Sequence, residues 1–139
     1  MIRLILAATL FATAAHAETA EPETSHARSL AFCGSQVATL AWFYKGVVNE
    51  GSSELKPELD GLLAMQSMLL YQVKQQGEET ISVFQEMTKE SVANLIERMG
   101  GTQDEGALAL SDVKINVRGC RETYFEKIEE DTSDTPKKN

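Results

Sequence analysis

Apolar residues recur every three or four positions through most of this chain, which is the spacing of one helix face rather than the alternation of a strand. Glycines at Gly51, Gly77 and Gly100 interrupt the pattern where helices would end. Thr102 and Glu105 match the T-x-x-E capping box that opens a helix. The pattern predicts four helices, over about 26–49, 54–76, 78–99 and 102–130.

Each predicted helix carries one apolar stripe, and together these stripes define the expected core. The stripe of the first helix runs from Leu30 to Val48, and that of the third from Ile81 to Met99. Helices of this kind bury their stripes against one another, and short connections favour neighbours that run antiparallel. The expected fold is all-α, a small up-down bundle of four helices. A three-helix alternative, with the second and third helices continuous through Gly77, stays open.

The chain has two cysteines, Cys33 and Cys120, and each falls on the apolar stripe of its helix. An up-down bundle places the start of the first helix beside the end of the fourth, so the two residues can meet. We therefore predict one disulfide that joins the first and last helices. Their neighbours Gly34 and Gly119 are expected to let the two backbones approach closely.

The first residues have the pattern of a cleavable export signal. Arg3 precedes an apolar run over residues 4–12, and Ala15-His16-Ala17 supplies the small residues that a signal peptidase reads. The run is shorter than the roughly 20 residues that cross a bilayer. We expect cleavage after Ala17, export with the periplasm as the favoured destination, and no stable membrane insertion afterwards.

The predicted organisation follows from these patterns and from the polar composition near both ends. Segments without large apolar side chains cannot bury enough surface to offset the entropy lost on ordering. The expected divisions are a signal peptide over 1–17, a flexible segment over 18–25, a helical domain over 26–130 and a disordered tail over 131–139.

Acidic residues outnumber basic ones, and the net charge of the chain is −8. The predicted signal contains one of the 13 basic residues and none of the 21 acidic ones, so the mature chain would carry −9. Such a charge argues against nucleic acids and anionic membranes as partners. A basic protein partner remains compatible with it.

Residues that carry chemistry are scarce. His26 is the one histidine of the predicted mature chain, no C-x-x-C or C-x-x-C-H spacing occurs, and the pair of E-x-x-H motifs that a di-iron bundle needs is absent. A catalytic dyad, a haem or a di-metal site would need such groups in convergent positions. We therefore predict no catalytic residues, no cofactor and no metal, and a protein that is not an enzyme.

A candidate partner surface lies outside the predicted core stripes. Phe32, Trp42 and Phe43 point about 100–160° away from the centre of the first stripe, at ideal helical geometry. Small residues between them (Ser35, Thr39 and Gly46) suggest a shallow groove with aromatic walls. Met68 and Tyr71 lie opposite the stripe of the second helix. Aromatic residues and methionine are enriched at interfaces. The alternative is that both helices are buried over wide faces.

These observations favour a binding role. We expect an exported, non-catalytic helical protein that binds another protein or a second copy of itself, as an accessory, chaperone-like or immunity-type factor would. Two alternatives stay open: a carrier of a small apolar ligand, and an enzyme that uses carboxylates alone.

Overall fold

The computed structural model describes residues 21–126, and this part of the chain is an all-α bundle without strands. A single 3-10 turn, Ser53–Leu55, precedes the second helix. The α-helices are α1 (Glu21–Asn49), α2 (Lys56–Gln76), α3 (Glu78–Met99) and α4 (Gln103–Tyr124). The predicted fold class is confirmed. The predicted signal peptide, residues 18–20 and the predicted tail lie outside the described residues.

The break between α2 and α3 is made by a single residue, Gly77. Its φ of 110° lies in the left-handed region that favours glycine. Its N–H bonds to the carbonyl of Lys74, and the next residue already belongs to α3. The chain therefore reverses at Gly77, and the three-helix alternative is wrong.

Local signals place the other helix ends close to their predicted positions. The capping box is present: the Thr102 hydroxyl accepts from the Glu105 N–H at 3.2 Å, and the Glu105 carboxylate accepts from the Thr102 N–H at 2.8 Å. α1 already includes Glu21, five residues before the expected start at His26. α4 extends to Tyr124 with Phe125 as its C-cap, and residues 127–130 of the predicted fourth helix lie outside the described residues.

The four helices form a rhombus rather than a square. α1 and α3 each lie against the three other helices, whereas α2 and α4 bring no Cα atoms within 8 Å of each other. α1 and α3 run parallel and meet across the short diagonal. Small side chains on α1 permit this close approach, because the distance between two helix axes depends on the size of the side chains at their contact. The small residues of α1 that are buried are Ala31, Gly34, Ser35, Ala38 and Thr39.

Gly34 serves a different purpose from the one its position beside Cys33 suggested. A Cβ atom at Gly34 would lie 3.0 Å from two ring carbons of Phe84, in α3. A Cβ at Gly119 would meet nothing within 4 Å. The expectation that these two glycines bring α1 and α4 together is wrong. Gly34 instead makes room for an aromatic ring of α3.

This difference predicts opposite effects for two identical substitutions. Gly34→Ala should lower the free energy of unfolding by about 1 kcal/mol, because crowding of Phe84 outweighs the gain in helix propensity. Gly119→Ala should raise it by roughly 0.5–1 kcal/mol, because only the propensity changes. Urea unfolding of both variants tests this, and stabilisation by both would contradict the close packing at Gly34.

The disulfide joins the first and last helices as predicted. The Cα atoms of Cys33 and Cys120 are 5.5 Å apart, and both residues are buried. One turn away, the hydroxyls of Ser29 and Tyr124 are hydrogen-bonded at 2.9 Å. The start of α1 and the end of α4 are therefore tied by a covalent bond and a polar contact.

Candidate functional site

The five residues predicted to form one partner surface occupy three separate regions. Phe32 lies in a cleft bounded by α1, α3 and α4, whereas Trp42 and Phe43 line a groove near the end of α1. Phe32 and Trp42 are ten residues apart, about 15 Å along the helix axis. Met68 and Tyr71 are exposed on α2 and line neither of these depressions. The structure therefore does not join the five residues into one surface: Trp42 and Phe43 share a groove, and Met68 and Tyr71 are neighbours on α2.

The small residues predicted to form the floor of an outer groove are mostly in the interior. Ser35 and Thr39 are fully buried, and their hydroxyls donate to the carbonyls of Phe32 and Ser35, each at 2.7 Å. Because their polar atoms are satisfied within α1, these residues can be buried against neighbouring helices. The predicted continuous groove is therefore wrong: Gly46 borders the groove of Trp42 and Phe43, whereas Ser35 borders the separate cleft that contains Phe32.

The open groove at the end of α1, which we call the Trp42 groove, is built around an exposed indole. Trp42 is 47% exposed and Met99, from the end of α3, is 44% exposed. Phe43 is half-buried, and its packing against the core holds it in place. The groove encloses about 670 Å³ and is lined by Trp42, Phe43, Lys45, Gly46, Val47, Asn49, Glu50 and Met99.

Met99 is a residue of this groove that the sequence pattern assigned to the core. Its position continues the α3 stripe, but Met99 is the last residue of α3 and is exposed. The backbone of Met99 is covered by Gly106, where an added Cβ would lie 3.3 Å from the Met99 Cα. Its side chain stays exposed. The position of Met99 in the last turn of a helix, before two glycines, is the sequence signal that could have predicted its exposure.

A second depression, which we call the Gln36 cleft, has a more polar lining. It encloses about 460 Å³ between α1, α3 and α4. Phe32, Met87 and Leu95 form part of its apolar lining. Its polar lining consists of Ser35, Gln36, Glu90, Ser91, Asn94, Arg98, Asp112 and Asn116.

Gln36 holds three helices together at this cleft. Its side chain is buried, donates to the Ser91 hydroxyl of α3 at 3.2 Å and accepts from the Asn116 amide of α4 at 3.1 Å. A buried amide with both partners present is satisfied, and such contacts define how helices align. The sequence pattern missed this residue because one glutamine within a mostly apolar helix carries no distinctive spacing.

The Gln36 cleft contains two carboxylates. Asp112 forms an ion pair with Arg98, with 3.0 Å between the carboxylate oxygen and the guanidinium nitrogen, and Glu90 is exposed. An enzyme that uses carboxylates alone stays a prediction.

Other chemical groups are dispersed over the described part of the chain. His26 is exposed, and its ring lies 6.3 Å from that of Tyr124. Within residues 21–126, no three histidine, cysteine or acidic side chains are placed to hold a metal ion. No helix in that range is long and apolar enough to cross a bilayer.

The chain matches no protein-family model, and comparisons with curated proteins and with solved structures find no significant match. The site must therefore be interpreted from its own geometry.

Proposed function

We propose that this protein is exported and acts by binding another protein through the Trp42 groove. The observation that carries the proposal is the half-exposed indole of Trp42 beside the exposed Met99, at the rim of an open groove. Large apolar side chains held together at a surface usually serve in recognition. The helical backbone holds the groove in shape before any partner arrives.

The chemistry of the lining suits protein binding. Tryptophan and methionine are enriched at interfaces, and tryptophan is over-represented among the residues that contribute most to affinity. Phe43 and Val47 add apolar surface, while Lys45, Asn49 and Glu50 supply polar groups. An apolar centre with a polar rim is the usual composition of a protein–protein contact.

Export is supported by the covalent pair. Disulfides form and persist in oxidising compartments, and Cys33 and Cys120 form one in the interior. The signal pattern of the first 17 residues supports the same destination, with the periplasm favoured.

Site-specific photo-crosslinking tests the proposal in the native compartment. A photoreactive amino acid at Gly46, which lines the groove, should give a discrete crosslinked protein. The matched control is Gly61, an exposed glycine of α2 with nothing within 4 Å of an added Cβ. We expect the Gly46 product to be absent from the Gly61 sample and to fall at least about tenfold with Trp42→Ala, as for a residue central to an interface.

The stability of Trp42→Ala must be measured alongside, because loss of folding would also remove the crosslink. Since the indole is half-exposed, we expect the free energy of unfolding to change by only about 1 kcal/mol. Crosslinking that survives Trp42→Ala, or that is equal at Gly46 and Gly61, would contradict the proposal.

A further inference from the structure

We propose that the Trp42 groove accepts a cationic amphipathic helix of the partner protein, an inference that rests on the proposed function. Three features of the described residues lead to this occupant: the apolar lining, the helical walls and the distribution of charge around them.

The walls favour a helix over an extended segment. The groove is lined by the last turns of α1 and by Met99 at the end of α3. The carbonyls of Gly46, Val47 and Val48 already accept hydrogen bonds from backbone N–H groups of residues 50–52. An extended peptide gains affinity by pairing its backbone with a free sheet edge, and these walls provide none. A helix satisfies its own backbone and can bury an apolar face against Trp42 and Met99.

The charge distribution favours a cationic occupant. The up-down topology puts the α1–α2 and α3–α4 connections at the same end of the bundle, where the groove lies. Seven acidic residues against three basic ones fall in residues 45–60 and 97–108, a net charge of −4. Residues 25–33, 71–86 and 117–126, toward the opposite end, carry five acidic and four basic residues. The negative charge is thus concentrated at the groove end, where it attracts a basic segment.

Two charged residues of the groove itself predict opposite effects. Glu50 would attract a cationic helix and Lys45 would repel it, and both are exposed members of the lining. Neutralising each one separately therefore gives a signed test that leaves the core untouched.

The fluorescence emission of Trp42 can report binding at the groove, because Trp42 is the only tryptophan of the chain. The probes are two tryptophan-free peptides of about 18 residues, long enough to form a helix on binding. Both carry the same leucine face, and the polar face is lysine in one and glutamate in the other. Each is titrated into the mature protein, and Trp42 emission and sedimentation are recorded at low and high salt.

We expect the lysine peptide to shift Trp42 emission to the blue and to bind at least about tenfold more tightly than the glutamate peptide. Glu50→Gln should raise its Kd, and Lys45→Gln should lower it. Adding Glu97→Gln, at an exposed residue in the last turn of α3, to Glu50→Gln should bring the rise to about three- to tenfold. Glu78→Gln with Glu79→Gln, at the opposite end, should change it less than about twofold. Fluorescence anisotropy of a labelled peptide extends the comparison to Met99→Ala, which should weaken binding.

The alternative outcomes separate this inference from the proposed function. Equal binding of both peptides, or equal effects of the two glutamate pairs, would overturn the cationic occupant while leaving a Trp42-dependent protein partner possible. If neither peptide binds while the Gly46 crosslink persists, the cationic occupant would likewise be overturned and the proposed function would stand. Self-association that disappears with Trp42→Ala would show that a second copy occupies the groove and would overturn the inference.

Discussion

Replacing Cys33 and Cys120 with alanine is expected to lower the free energy of unfolding by about 4–5 kcal/mol. The bond links residues 87 positions apart, and without it the unfolded chain regains the entropy of that long loop. Such a loss is a large part of the net stability of a domain of this size. Urea unfolding of the oxidised protein and of the double variant measures it.

The same experiment has a structural readout in α4. Besides the disulfide, the attachments of α4 to the bundle include the buried Ala109, Val113 and Val117, the Arg98–Asp112 ion pair and the polar contacts of Asn116 and Tyr124. Amide hydrogen exchange in the double variant should therefore accelerate most in α4 and at the start of α1. Reduced wild-type protein is the control and should behave like the variant. A loss below about 1 kcal/mol would mean that the disulfide constrains the unfolded chain little.

Leu69→Ala is the second substitution with a large expected effect, a loss of about 3 kcal/mol in the free energy of unfolding. Leu69 is 0% exposed, in the α2 face that packs against α1 and α3. Truncation removes its transfer free energy and leaves a cavity that the surrounding helices fill only partly. Urea denaturation with an unchanged m-value would show that the effect is on stability alone.

Leu63→Ala is the matched control on the same helix. Leu63 is 42% exposed, so the same chemical change should cost less than about 1 kcal/mol. The ratio between the two losses tests the orientation of α2 about its axis. Similar losses would mean that α2 is rotated relative to the structure described.

Secondary structure in this protein follows from local chemistry. The capping box at Thr102 acts within a few residues, so the sequence identified it directly. The break at Gly77 was predicted with a continuous helix as the alternative, and the structure distinguished the two. The stripe positions Leu30, Val37 and Leu95 are buried as predicted. The disulfide was also predictable, because antiparallel first and last helices leave the start of one beside the end of the other.

The candidate site was only partly predictable. Placing residues around one helix identified Trp42 and Phe43 as lying off the core stripe, but it also joined them to Phe32 and to helix two. Met99 was assigned to the core, although the structure leaves it exposed at the groove. Gln36 was missed, although it connects α1 to α3 and α4.

What the sequence by itself determined is the set of helices, their buried stripes and the covalent pair, because each depends on spacing along one chain. Tertiary structure decided which surfaces of α1 remain free. Ser35 and Thr39 look like the floor of an outer groove on an isolated helix, yet α1 packs against all three other helices, and both residues are buried. Small side chains permit either a groove or a close helix contact, and only the position of the neighbouring helix distinguishes the two.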